Sequence, residues 1–295
     1  MSIRPVDLPE LRAELATVLA KPEMAWFYEG RAPALSRRLD QHVTPGELQE
    51  KEVLGLLCDE LFFVAEEMYE LAKAAAESLP PFTLLPEDVP SQFGFAYIAP
   101  GTHTPAGSLR SIAAVEWWSM GSGVRLNFYC DTEVMLAEML AAGSATTEQV
   151  AAHRSLVGRL SPMSAEALIH FGHDPVEASE EDERFTRTIR AMWLLMQQPL
   201  AKISDIEADR ATRKRLRRTG REPAAVRVIE LRRPQQSGPG DGSREFHHQW
   251  IVRGHWRNHW HPKRQVHRPV WIAPHVKGPE GAPMIGGEKV YAWTK

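Results

Sequence analysis

Long apolar runs are missing from this 295-residue chain, so nothing in it is expected to span a bilayer. The opening MSIRPVDLPELRAEL carries acidic residues early and lacks a continuous apolar segment, so no secretory signal is expected. Cysteine is scarce. Cys58 and Cys130 lie far apart and form no CxxC, which excludes a disulfide framework and points to a reduced, cytoplasmic protein. Also absent are G-x-G-x-x-G, a P-loop, G-x-S-x-G and HExxH. Nucleotide-dependent and common hydrolase chemistries therefore have no support, and no cofactor is expected.

What is present is charge, unevenly placed. Residues 1–200 hold 15 basic and 29 acidic side chains, a net −14; residues 201–295 hold 20 and 9, a net +11. Seven of the twelve histidines and five of the nine tryptophans fall between 247 and 293. A basic tail of this kind meets something acidic, either nucleic acid or the acidic front half of the same chain.

The patterning predicts an α+β protein, with a helical and mixed α/β N-terminal region followed by a small basic antiparallel β module. Four regions are read: an acidic helical region over 1–79, mixed strands and helices over 80–203, a basic helix or linker over 204–220, and a Trp/His-rich β module over 221–295. Thr44, Pro45 and Glu47 start a helix whose apolar spacing, from Val53 through Leu71, runs to about 79. Such a helix covers a core; a homodimer through it is the alternative. GFAYIAPG, SIAAVEWWSM and GVRLNFYCD read as strands, the last two as a hairpin. Helical signals return over 133–142, 147–160, 165–171 and from Ser179. The capping pattern Ser204-Asp205-Ile206-Glu207 opens a further helix, which carries Arg213, Lys214, Arg217 and Arg218 and stops at Gly220.

The terminal stretch WIVRGHWRNHWHPKRQVHRPVWIAPHVKG is read as strands over 247–257 and 269–277 around a loop, with a third strand at 289–293. Alternation places Arg253, His255 and Arg257 in a cationic row, with Trp250 and Trp256 on the core side. Gly254 between two tryptophans suits a close approach. Three chemistries fit. In the first, His255 and His275 act as base and acid on an RNA 2′-OH, with Arg253, Arg257 and Lys277 steadying the phosphate, as in a metal-independent ribonuclease toxin. In the second, the module binds nucleic acid, RNA rather than DNA. Arg213, Lys214, Arg217, Arg218, Lys263, Arg264 and Arg268 would then meet phosphates while Trp256 and Trp260 stack bases. The third is zinc on His255, His259, His261, His267 and His275. It is disfavoured because no cysteine or carboxylate is interleaved and cations crowd the site, so no metal is expected. The non-catalytic alternative is a Trp-rich sheet that docks on the acidic half as a structural or interaction module.

The run RATRKRLRR, VRVIELRR, WIVRGHWRNHWHP, VHRPVWIAPHVKGPEGAP and KVYAWTK resembles a family of uncharacterised proteins from actinobacteria, their plasmids and their phages. Their signature reads VRGHWRNQWYP, then HRPIWIxPHxKGP. The similarity is close from 210 onward and looser in GFAYIAP and AVEWWSMGSGVRLNFY. Arg253, His255, Arg257, His275 and Lys277 match that signature; His259 and His261 stand where it has Gln and Tyr, which further weakens zinc. The resemblance implies a mobile-element or host-defence setting and transfers no catalytic residue.

Overall fold

The helical spacing read over 45–79 does not survive as one helix. Thr44 does cap it: Glu47 N donates to Thr44 Oγ1 at 3.3 Å and Thr44 N to Glu47 Oε2 at 2.9 Å. The helix nevertheless ends at Cys58, and Glu60–Val64 is a strand before a second helix begins. ELFFV sits between two parallel neighbours and buries Leu61 on one sheet face and Phe62 on the other. A strand covered on both faces reads as an unbroken apolar run, which periodicity cannot tell from a buried helix.

The computed structural model describes residues 3–103, 111–172, 180–232, 249–262 and 265–277. In chain order these hold α1 (Leu8–Leu19), α2 (Ala25–Leu39), α3 (Pro45–Cys58), β1 (Glu60–Val64), α4 (Glu66–Glu77), β2 (Phe93–Ile98), β3 (Ala114–Met120) and β4 (Gly123–Asp131). There follow α5 (Thr132–Ala141), α6 (Thr147–Leu156), β5 (Leu160–His170), α7 (Glu180–Met196), β6 (Ala201–Ile206), α8 (Arg210–Arg218) and β7 (Val226–Leu231). Four short strands close the described chain: β8 (Trp250–Val252), β9 (His255–His261), β10 (Val266–Ile272) and β11 (His275–Lys277). The chain is α+β. Among the described residues no helix is long and apolar enough to cross a membrane. The third terminal strand, expected at 289–293, lies outside the described residues.

One seven-stranded sheet runs β5-β4-β3-β2-β1-β7-β6. β1 is parallel to both β2 and β7, and every other pair is antiparallel. Regions read separately along the sequence thus meet as neighbouring strands of one sheet. Phe62, Val64, Ala96, Ile98, Val115, Trp117 and Ile229 face α4 and α7 in one core. Leu61, Phe95, Tyr97, Ala114, Tyr129 and Val226 face α1, α2 and α3 in the other.

Two more helical expectations become strands. Residues 165–171 belong mostly to β5, which pairs along β4 and shifts register between Asn127 and Tyr129. Ser204-Asp205-Ile206 lies in β6, paired to Val228, Arg227 and Val226 of β7. The local capping pattern loses there to a ladder of backbone hydrogen bonds. The helix starts later, capped by Asp209, whose Oδ1 accepts from Thr212 N at 2.7 Å.

Candidate nucleic-acid interface

The terminal stretch forms a longer ribbon than alternation suggested. β9 pairs antiparallel with β10 from His261↔Val266 to Ile272↔His255, so most of the expected loop is strand. β8 and β11 pair from His275↔Val252 to Lys277↔Trp250 in the continuing register. The two ladders therefore make one hairpin, interrupted where Arg253-Gly254 meets Ala273-Pro274. Pro274 has no N–H to give to a ladder, which accounts for the break.

This register separates His255 from His275. Their partners are Ile272 and Val252, three rungs apart, roughly 10 Å along the ribbon at about 3.3 Å per residue. Each ring turns to its own strand: His255 Nδ1 lies 3.0 Å from Arg253 O, and His275 Nδ1 lies 3.0 Å from Ala273 O. Arg257 shares a face with His255, and Lys277 shares one with His275. The five residues proposed for phosphodiester cleavage are not gathered around a common point.

Two of the residues expected to contact nucleic acid are anchors instead. Trp256 Nε1 donates to the carbonyl of Ala75 in α4 at 2.7 Å, and its ring meets Trp271 edge-on at 5.3 Å. Trp271 is buried in the core under α7, and its backbone N–H donates to Gln198 Oε1 at 3.0 Å. Arg268 is buried as well; its guanidinium pairs with Asp88 and approaches Glu87 at 3.5 Å. Burial pushes the Asp88 carboxyl up, and the Leu85 N–H and Arg268 oppose that only in part. Gly254 lies under the Trp271 ring, where a Cβ would come within 2.4 Å of Trp271 Cζ2. Replacing Gly254 with alanine should lower unfolding free energy by about 1–3 kcal/mol and expose the hairpin to protease. A denaturant midpoint equal to wild type would contradict this contact.

Exposed on the same ribbon are Arg257, His259, Trp260 and His267. Trp260 is 45% exposed, and its ring sits 4.9 Å from that of its cross-strand partner His267. His259 and His261 rings lie 5.1 Å apart. Lys263 and Arg264 fall outside the described residues. Among the described residues no group of three His, Cys, Asp or Glu side chains could hold a metal ion.

The basic helix α8 lies elsewhere. Thr212 and Leu216 are buried, and Arg215 grips Glu10 of α1 through bonds of 2.7 and 2.8 Å. Arg213 pairs with Glu207 at 3.3 Å, while Lys214, Arg217 and Arg218 are exposed. α1 belongs to the core on one face of the sheet and the hairpin to the core on the other. The cations grouped by sequence thus form two surfaces.

A third cluster was not anticipated. Between α2, α3 and the strands β3–β5, Arg31 binds Glu52 and Glu166 at 3.0 Å each and Asn127 at 2.7 Å. Arg125 bridges the same two carboxylates, meeting Glu166 at 2.9 Å. Burial pushes Glu166 up, but the charges of Arg125 and Arg31 outweigh it and hold the group below the usual carboxylate range. Glu116 is wholly buried and accepts from Tyr129 OH at 2.6 Å, Asn127 Nδ2 at 2.8 Å and Trp118 Nε1 at 2.9 Å. Burial and the Glu52 charge still raise it. Beside it Asp59 is buried with both oxygens unpartnered among the described residues, and desolvation, reinforced by Glu116, pushes it up to about 10. The signal for this cluster was in the sequence: Glu116, Arg125 and Asn127 interrupt strands that are mostly apolar. The ion pairs bind the helical layer to the sheet.

The chain matches no protein-family model, and it is similar to no curated protein and no solved structure.

Proposed function

We propose that this protein binds nucleic acid, RNA in preference to DNA, through the exposed end of the β9–β10 ribbon, in a mobile-element or host-defence setting. The observation that carries the reading is Trp260. A large ring left nearly half exposed, buttressed by His267 and followed in sequence by Lys263 and Arg264, is a stacking platform. His267 shares the face of Trp260, while Arg257 and His259 alternate onto the other face of β9 and meet phosphates of a strand that wraps around the ribbon's end. Single-stranded RNA suits this surface, because unpaired bases can splay onto an aromatic side chain, whereas the deep groove of an RNA duplex hides its base edges. The anchoring contacts of Trp256, Trp271 and Arg268 support a rigid presentation of that surface. They also support docking of the basic segment on the acidic front of the chain, with Asp88 and Glu87 as acceptors. Cys58 and Cys130, which form no disulfide among the described residues, suit a cytoplasmic location.

Fluorescence anisotropy with a labelled single-stranded RNA tests the reading. Affinity should fall steeply between about 50 and 200 mM salt. Trp260→Ala should weaken it by about 1–3 kcal/mol, the scale of one base–aromatic stack. Arg257→Gln should flatten the logarithmic salt slope by about 0.7. Absence of RNA binding at low salt, or wild-type affinity in the Trp260 variant, would sink the proposal.

A further inference from the structure

We infer that α8 presents a second phosphate-binding face, opposite the ribbon, so that one molecule holds two nucleic-acid segments at once. The inference rests on the nucleic-acid reading and concerns a different surface.

The inner side of α8 is occupied. Thr212 and Leu216 are buried, Arg215 chelates Glu10, and Arg221 just beyond the helix reaches the Ala13 carbonyl and Thr17 Oγ1. Gly220, at φ 71°, ends the helix, and the Arg221 N–H returns to Leu216 O at 3.0 Å. Arg210, Lys214, Arg217 and Arg218 remain, at spacings that put all four on one helical face. All four are exposed, and among the described residues none of them has a carboxylate partner.

Local energetics do not explain this stripe. The helix dipole favours Arg217 and Arg218 in the last turn but disfavours Arg210 in the first. Arg210 with Lys214, and Lys214 with Arg218, are like-charge pairs one turn apart, which destabilise a helix. A nine-residue helix spans about 14 Å, along which a nucleic-acid duplex exposes several phosphates. Backbone phosphates are the complement of four cations in a row that have no carboxylate partner among the described residues and no aromatic side chain beside them on α8 for reading bases.

Position decides that this face acts apart from the ribbon. α8 is fixed to α1, whose core includes Leu61 and Phe95; the ribbon is fixed to α4 and α7, whose core includes Phe62 and Trp117. Leu61 and Phe62 are successive residues of β1, so the whole helix–sheet–helix sandwich separates the two surfaces. A short oligonucleotide lying on one of them cannot reach the other.

The test is a sandwich capture with full-length protein. Single-stranded RNA on beads loads the protein through the ribbon, and a short labelled RNA duplex is then offered. Wild type should retain the duplex. The variant Lys214→Gln/Arg217→Gln/Arg218→Gln, with an unchanged thermal melt, should load equally but hold the duplex at least tenfold less, with a logarithmic salt slope lower by about 2–3. Trp260→Ala should fail to load yet bind duplex in solution as wild type does. Wild-type duplex retention by the triple variant would overturn the α8 face and leave the ribbon reading standing. Equal loading by Trp260→Ala, with duplex binding lost only in the triple variant, would overturn the ribbon reading instead. If wild type loads on the beads but captures no duplex, the bridging inference is wrong.

Discussion

Replacing Arg125 with methionine should destabilise the fold by about 3–5 kcal/mol, the usual cost of removing one partner from a buried ion network. Arg125 is 3% exposed and bridges Glu52 to Glu166; among the described residues Arg31 is the only other buried cation in contact with both carboxylates. Methionine fills much of the volume but leaves Glu52 and Glu166 to share Arg31, with the half-exposed Arg38 reaching only Glu166, at 3.5 Å. Folding must then leave a carboxylate poorly compensated or protonate it. Urea unfolding would show a lower midpoint at unchanged slope. Adding Glu166→Gln to Arg125→Met should recover part of the loss, because it removes the orphaned charge. A loss below about 1 kcal/mol would mean that water reaches the network and screens it. RNA binding below the melting temperature should not change, since the ribbon lies on the other face of the sheet.

Asp59→Asn should stabilise the protein at alkaline pH and flatten its pH dependence. Burial, with the Glu116 charge, pushes Asp59 up to about 10, although Arg12 opposes the shift. A group raised in the folded state contributes stability in full below its unfolded value. That contribution is lost as pH rises through the folded value. For Asp59 the window runs from about pH 4 to about pH 10, and its limiting slope is about 1.4 kcal/mol per pH unit. Asparagine has nearly the same shape and never ionises, so the variant should escape this loss. Unfolding free energies at acid, neutral and alkaline pH compare the two proteins directly. Curves that stay parallel from pH 5 to 9 would show that Asp59 is ionised in the fold, most simply through water beside Arg12.

Much of the candidate interface was legible because its signals are local. Gly254 between tryptophans, Pro274 as a ladder break and the basic run over 210–218 are properties of neighbouring residues. Their division of labour was not legible. Trp256 and Trp260 look alike in sequence, yet Trp256 donates to Ala75 and Trp260 faces solvent. Arg268 resembles every other cation of the module until Asp88 appears beside it, 180 residues away in the chain. The pairing of His255 with His275 failed for a similar reason. Alternation assigns faces within a strand, but the rung at which two strands meet depends on the whole ladder.

By itself the sequence determined the α+β class, the Thr44 cap, the hairpin from Ala114 to Asp131 and the concentration of cations and tryptophans at the end of the chain. These follow from periodicity, capping and composition, which act over a few residues. Only the tertiary structure decided that ELFFV is a central strand, that residues 204–206 join an edge strand, and that the cations lie on two opposite faces. Those outcomes depend on which partners cover each side chain and complete each backbone hydrogen bond, and the partners come from distant parts of the chain.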